Sequence, residues 1–401
     1  MSRRNHGAAG LSNLRVCVVS PFVDKKHGTE RAVAELIEHL ASDFGHEIHV
    51  YAQRMDDVAI CPSEKAGAKR GAIIWRKVGS LPGPHLIQFL FWFWRNRALR
   101  RKDARNASGN HNIVFSPGIN CSDANVIQVH AVFHQLAKLQ AQSRAWTLRG
   151  IHRRLYYALL CALEKKIYSD KKVAIAAVSQ RTADQLNAFF GRKDVKVIPN
   201  GVDTNLFSPS ARLSLRIEAR RRWNFSEQDI VALLVGNDWQ NKGLETLLRA
   251  LAQCTEPNVR LLVAGSDRQS AWQALVSNLG LNQRVLFAPP SDRILEYYSA
   301  ADLLAAPSVE DSFNLPVLEA MACGLPAITS SAAGIAGFLA DGEDCFILQQ
   351  PADSSSLASL LSRLAKDESL RNAIGQRAAK KAALFAWEKS ASELAKFMEK
   401  M

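Results

Sequence analysis

The sequence predicts an α/β protein made of two Rossmann-like, doubly wound domains facing each other across a cleft, and three observations lead to that expectation. Short runs rich in Val and Ile alternate with helix-period stretches along the 401 residues, as parallel strands buried on both faces do. The runs form two series. Between the series lies "NGVDTNLFSPSARLSLR", polar, turn-rich and without a clear apolar period, which reads as a linker.

In order, the first series is "RVCVVSP" (15–21), "HEIHVYA" (46–52), "AIIWRKV" (72–78), "NIVFSP" (112–117), "NVIQVH" (125–130), "VAIAAVS" (173–179) and "VKVIPN" (195–200). The second is "IVALLVG" (230–236), "VRLLVAG" (259–265), "RVLFAP" (284–289), "DLLAAPS" (302–308), "PAITSS" (326–331) and "CFILQ" (345–349). The expected domains are 1–204 and 205–384. Residues 385–401 then form an amphipathic helix with Trp387, Leu394, Phe397 and Met398 on one side, expected to pack back toward the N-terminal domain. Ligands of such sheets bind at the carboxyl ends of the strands.

Composition narrows the classes. With 47% hydrophobic and 22% charged residues the chain is ordinary for a globular protein, and it has no run of some 18 apolar residues to span a bilayer. The N-terminus "MSRRNHGAAGLSNLR" carries charges without a following apolar region, so a cytoplasmic protein without a signal peptide is expected. The seven cysteines (Cys17, Cys61, Cys121, Cys161, Cys254, Cys323, Cys345) are scattered, form no CxxC and read as small core residues. Charge is asymmetric. Residues 1–200 hold 31 Lys and Arg against 15 Asp and Glu, net +16, and residues 201–401 hold 20 against 23, net −3. The first half therefore suits an anionic partner: a phosphorylated acceptor, an acidic membrane or nucleic acid. No nucleic-acid motif accompanies the charge, and nucleic acid is not expected as a partner.

Chemistry concentrates in "EDSFNLPVLEAMACGLPAI", where Asp311 and Glu319 flank an apolar stretch. Pro316 fits the first turn of a helix that closes at Gly324. Asp311 is then in the preceding loop, and the N–H groups near Phe313, Asn314 and Leu315 make an anion site. A carboxylate beside a bound phosphate must hydrogen-bond something else, and sugar hydroxyls suit both acids. A phosphate between two sugars describes a nucleotide-sugar. The competing reading makes Glu319 a favourable charge at its own helix start and Asp311 a turn residue.

"PSVEDSFNLPVLEAMACGLPAITS" closely resembles the donor-binding segment of glycosyltransferase family 4, retaining enzymes of the GT-B fold, with acid, seven residues, Glu. "GNDWQNKGLETLLRAL" is similar to that family's phosphate segment, "VIPNGVDTNLFSP" to its domain link and "HGTERAVAELIEHLA" to its N-domain loop and helix. The resemblance implies that Glu319 binds ribose hydroxyls, Asp311 the transferred sugar and Lys242 the diphosphate. It implies His130, Lys242 and Asp311 as catalytic groups, and Gly28, Thr29, Gly236, Asn237, Phe313, Asn314 and Leu315 as further donor contacts. It further implies an acceptor-binding N-terminal domain, a donor-binding C-terminal domain, and front-face substitution in which the departing phosphate helps take the acceptor proton.

Several positions depart from the pattern. Asp311 stands where Glu is usual, Asn314 where Gly is common, and Asn237 and Asn241 occupy the neighbourhood of an absent Arg that Arg268 could replace. His27 stands at the first of two usual glycines, and His134 rivals His130. No DxD pair occurs, so no metal and no cofactor are expected beyond the nucleotide-sugar substrate. Two basic, aromatic stretches, 85–102 and 143–168, suit an anionic membrane face with Arg95, Arg97, Arg100 and Arg101 toward lipid phosphates, or a core helix with a solvated basic end. The expected activity is transfer of a sugar to a saccharide or lipid-linked acceptor in lipopolysaccharide or surface-polysaccharide assembly, with peripheral contact at the inner membrane face. A degenerate scaffold or anionic-surface binder, or a GT-B epimerase, is the alternative.

Overall fold

The structure, a computed structural model, describes residues 14–58, 71–105, 112–140 and 148–401. Cys61, residues 1–13 and residues 143–147 of the second basic stretch lie outside the described residues. Two units emerge, Met1–Pro199 with Trp387–Met401, and Asn200–Ala386. Against expected boundaries at 204 and 384, the divisions fall at Pro199 and Ala386.

The first unit runs β1 (Arg15–Val19), β2 (Phe22–Val23), α1 (Gly28–Ser42), β3 (Glu47–Ala52), β4 (Arg54–Met55), β5 (Ile73–Lys77), α2 (His85–Arg105), β6 (Ile113–Pro117), β7 (Val126–Val129), α3 (Phe133–Gln140), α4 (Leu148–Tyr168), β8 (Ala174–Ala177), α5 (Gln180–Phe190) and β9 (Lys196–Val197). Among the described residues its main sheet has the order β5-β3-β1-β6-β7-β8-β9, all parallel. Every strand of the first series lies in it, because Val, Ile and Ala runs covered on both faces need no polar alternation. A small extra sheet pairs β2 with β4 beyond the ends of β1 and β3. Two-residue strands carry no readable period.

The second unit runs α6 (Pro209–Arg222), β10 (Ile230–Val235), α7 (Leu244–Gln253), β11 (Val259–Ala264), α8 (Ser270–Asn278), β12 (Val285–Ala288), α9 (Leu295–Ala300), β13 (Leu303–Ala306), α10 (Leu315–Ala322), β14 (Ala327–Ser330), β15 (Phe346–Leu348), α11 (Ser354–Lys366) and α12 (Glu368–Ala382). Its sheet order is β12-β11-β10-β13-β14-β15, again parallel. Numbered from β10, that is 3-2-1-4-5-6, so the strand order reverses between β10 and β13, whose carboxyl ends flank the crevice where such sheets bind ligands. The last helix, α13 (Trp387–Met398), belongs to the first unit and packs on α1, burying Trp387, Leu394 and Met398. Phe397 is only half-buried.

Two expectations are corrected. The stretch read as linker, residues 200–216, is helical from Pro209 on and forms the first part of α6, capped by Ser208, whose Oγ accepts from Ala211 N. Its inward stripe at i, i+4, i+8 is arginine. Arg212 donates to Cys323 O at 3.0 Å, Arg216 to Ala301 O at 3.0 Å and to Asp302 at 2.6 Å, and Arg220 to Asp302 at 3.0 Å. Guanidinium groups anchor this helix, so no apolar period announces it. Arg100 on α2, expected to face lipid phosphates, is buried and forks onto Asp123 at 2.7 and 3.0 Å while donating to Asn96. The same helix exposes Arg95, Arg97 and Arg101.

Candidate functional site

At the reversal of the second sheet, the loops after β10 and β13 are laced together. Val309 N donates to Asn241 O at 2.7 Å, and Asn241 Nδ2 donates to Glu310 O at 2.7 Å. Gly243, at φ +80°, makes the close approach possible, since a Cβ there would collide with the Pro307 carbonyl. Gly236, at φ +152°, lets the Lys242 side chain lie across the end of β10, because a Cβ would fall 2.8 Å from Lys242 Cε. Buried Trp239 packs on Phe287 at 5.2 Å and anchors the loop from below, its backbone N–H donating to Asp267 at 3.0 Å.

Lys242 Nζ is therefore delivered to the opposite loop. It lies 2.6 Å from Asp311 Oδ2 and 3.4 Å from Asn314 Oδ1. Both partners of the ion pair are mostly buried, at 16% and 15% exposure, so the charges sit in fixed positions at a partly desolvated edge. Asn314 has φ +76°, where Asn and Gly are the residues tolerated, which explains why Asn can stand in the place of Gly. Its amide donates to Ser308 Oγ at 3.1 Å, and Ser330 Oγ donates to Ser308 O at 2.6 Å.

α10 starts at Leu315 with Pro316 in its first turn and no side-chain cap. Of the three N–H groups expected to be open, that of Phe313 is occupied, donating to Asp311 Oδ1 at 3.1 Å. Phe313 itself is buried against Phe338. Glu319 is buried on α10, and its Oε2 accepts from the Tyr298 hydroxyl at 2.5 Å, so it does not cap its own helix. Tyr298, on α9, and Ser308 support this site without any motif in the sequence to mark them.

The asparagines near the absent Arg are both spent locally. Asn237 accepts from Ser266 N at 3.0 Å, and Asn241 ties the two loops. Lys242 is thus the cation placed between the loops, while Arg268 is exposed in the loop after β11.

The N-terminal candidates belong to the other unit. His130 follows β7, buried, and burial alone pushes its imidazole down to about 4, so it is neutral at neutral pH. Gly28 and Thr29 open α1, and a Cβ at Gly28 would meet nothing within 4 Å. Before them His27 Nδ1 lies 2.9 Å from Asp24 Oδ1, and Arg54 reaches Asp24 Oδ2 at 3.2 Å. Hydrogen bonds from the Lys26 and His27 N–H groups and the His27 ring outweigh burial and hold the Asp24 carboxyl below the usual carboxylate range. His134, on α3, pairs instead with Glu164 of α4.

Comparison with known proteins bears on both units. Residues 26–206 match the family described as Glycosyltransferase Family 4, and residues 216–381 that described as Glycosyl transferases group 1. D-inositol 3-phosphate glycosyltransferase of Corynebacterium jeikeium is 31% identical over 59% of this chain and 59% of its own length. Its counterpart from Salinispora arenicola is 33% identical over 50% and 48%. The chain thus spans about half to three-fifths of the length of these curated relatives. Among solved structures, WaaG, a glycosyltransferase involved in lipopolysaccharide biosynthesis, superposes with TM-score 0.77 at 21% identity, over 96% of this chain and 99% of that one. HepE of Anabaena in complex with UDP-glucose superposes with TM-score 0.71 at 18% identity, over 97% and 100%. At such identities the likeness is one of fold, the GT-B arrangement of two Rossmann-like domains.

Proposed function

Because this chain belongs to the glycosyltransferases, family 4 in its first half and group 1 in its second, we propose that it moves a sugar, a hexose, from a nucleotide-sugar to a saccharide or lipid-linked acceptor with retention of configuration. The observation that carries the reading is Lys242, held 2.6 Å from Asp311 at the strand reversal of the second sheet. A cation fixed there stabilises the charge that develops on a departing nucleoside diphosphate, and it supplies that charge without a metal. Asp311 and Glu319 are the acceptors for hydroxyls of the transferred sugar and the ribose, Glu319 exchanging its Tyr298 contact for the ligand. Gly236, Asn237, Asn314 and Leu315 shape the phosphate pocket, and His130, neutral and buried, is a hydrogen-bonding group on the acceptor side. Structural neighbours bound to UDP and UDP-glucose support a nucleotide-sugar donor.

Incubation with UDP-, GDP- and ADP-sugars, with nucleoside diphosphate release as readout and the anomeric configuration of the product read by NMR, tests this reading. Release from one donor class with a retained anomer supports it; inversion contradicts the retaining assignment, and inertness toward all donors favours the scaffold alternative.

We place the acceptor in lipopolysaccharide or surface-polysaccharide assembly, presented at a membrane. Along α2 the exposed residues Ile87, Leu90, Trp94, Arg97 and Arg101 fall on one helical face, apolar first and basic after. On α4, Ile151 and Leu155 are exposed with Arg153 and Arg154 beside them, and Phe89 meets Tyr156 edge-on at 6.0 Å to join the two helices. No helix among the described residues is long and apolar enough to cross a membrane. Anionic vesicles should retain the wild type and lose Arg97→Glu/Arg101→Glu at moderate salt; equal retention contradicts the membrane face.

A further inference from the structure

Five of the six described cysteines are buried, while Cys161 on α4 is half-exposed. Its Sγ lies near Glu164, one turn further along the same helix, and near His134 of α3. One ligand atom from each falls within 4.8 Å of the other two. Cys161 and Glu164 at i, i+3 share a helix face, and α3 brings the imidazole to them. In the sequence His134 and Cys161 stand 27 positions apart, so no metal-binding spacing is visible there.

The triad has the chemistry of a divalent-metal site. Glu164 is fully buried, with Oε1 accepting from Phe133 N at 2.6 Å and Oε2 from His134 N at 2.9 Å, which fixes the carboxylate. His134 Nδ1 is 2.7 Å from the same Oε2. The ring is held by Phe190, edge-on at 4.9 Å, and by Phe189 at 5.4 Å. The Cys161 thiol has no hydrogen-bond partner among the described residues, and burial and the neighbouring Glu164 raise its pKa. Around a tetrahedral ion with ordinary bond lengths, ligand atoms stand roughly 3.3–3.5 Å apart. Closing the triangle therefore takes a movement of about an ångström.

We propose that His134, Cys161 and Glu164 form a site for a borderline-soft divalent cation of the zinc class, with water in the fourth position. Thiolate and imidazole select such an ion over magnesium or calcium. The ion takes the place of the proton between His134 Nδ1 and Glu164, with the neutral imidazole carrying its proton on Nε2. As the metal–sulfur bond forms, the thiol proton passes to solvent. The consequence is structural. α3 buries none of its residues and is tied to α4 by the Glu164 cap, by Gln140 Nε2 donating to Tyr157 at 2.8 Å and by Phe133 against the Tyr157 ring. A metal bolts this helix down three residues after His130. The site is independent of the proposed transferase reaction.

The test is Co²⁺ titration of the full chain after chelator treatment. The expected result is a near-ultraviolet thiolate-to-cobalt band with tetrahedral visible bands, displaced by Zn²⁺, and a Zn²⁺-dependent rise in Tm. Cys161→Ser should abolish the thiolate band, and His134→Gln should weaken Zn²⁺ at least about tenfold. Circular dichroism establishes that both variants fold, and Cys161→Ala serves if the serine does not. Absence of a thiolate band in the wild type, the same band in Cys161→Ser, or unchanged Zn²⁺ affinity in His134→Gln would overturn the site.

Discussion

The two parallel sheets end very differently at their carboxyl edges. In the second unit the loops after β10 and β13 are cross-bonded, pass within a glycine's width of each other and hold a cation and a carboxylate in a fixed pair. In the first unit the loop after β1 is open around Gly28, with His27 and Arg54 both on Asp24, and the candidate His130 after β7 is kept neutral by burial. A rigid edge with preorganised charge suits a constant ligand such as a nucleoside diphosphate, and an open edge suits a variable one. The strand order is shared, so the difference in use lies in the loops.

The largest expected effect breaks the rigid edge at its charge. Lys242→Ala should lower donor turnover by about 10²–10³, because the lost group acts on developing charge, and it should also lower Tm, because it leaves Asp311 unpaired at 15% exposure; a turnover loss under about fivefold would detach Lys242 from the chemistry. Next comes its backbone. Gly243→Ala, forced to φ +80° against Pro307, should destabilise by roughly 2–4 kcal/mol in a urea melt. Its counterpart at the open edge, Gly28→Ala, should stay within about 0.5 kcal/mol of wild type. Similar values for the two glycines would erase the contrast.

His130 sharpens it through pH. Its folded pKa of about 4 lies below the usual histidine value of 6.5, so the unfolded chain binds the extra proton first. Its stabilisation is complete above about pH 6.5 and is lost as pH falls toward 4, a change worth roughly 3 kcal/mol that His130→Phe should flatten in pH-dependent denaturation. The smallest contrast lies on α2. Arg100→Met strands Asp123, which is 40% exposed, and should destabilise by about 1–3 kcal/mol. Arg101→Met, exposed one residue later, should do almost nothing. The Arg100 partner holds the Asp123 carboxyl below the usual carboxylate range against its burial. That contribution is full above about pH 4 and is lost as pH falls below it, so the Arg100→Met deficit should shrink in acid.

Much of this was legible in the residues. The thirteen marked strands are all present, because Val and Ile runs buried on both faces leave a strong signal. Asp311, Glu319 and Lys242 stood out by chemistry and by resemblance, and the structure sets Lys242 against Asp311. What was hidden depends on partners distant in sequence. The first half of α6 was read as linker because arginines, not aliphatic residues, turn inward. Arg100 was read as a lipid contact because a guanidinium has the same letter whether it meets solvent or Asp123. Tyr298 beside Glu319 and Cys161 beside His134 are joined only by folding.

The central claim is that the rigid edge binds the diphosphate of a nucleotide-sugar through Lys242. Titration calorimetry of UDP, GDP and ADP against the wild type, Lys242→Ala and Lys366→Ala, a lysine 62% exposed on α11, tests it most directly. The account predicts binding of one nucleotide, weakened at least about tenfold in Lys242→Ala and unchanged in Lys366→Ala. Equal affinity for all three proteins, or no binding by the wild type, would contradict it.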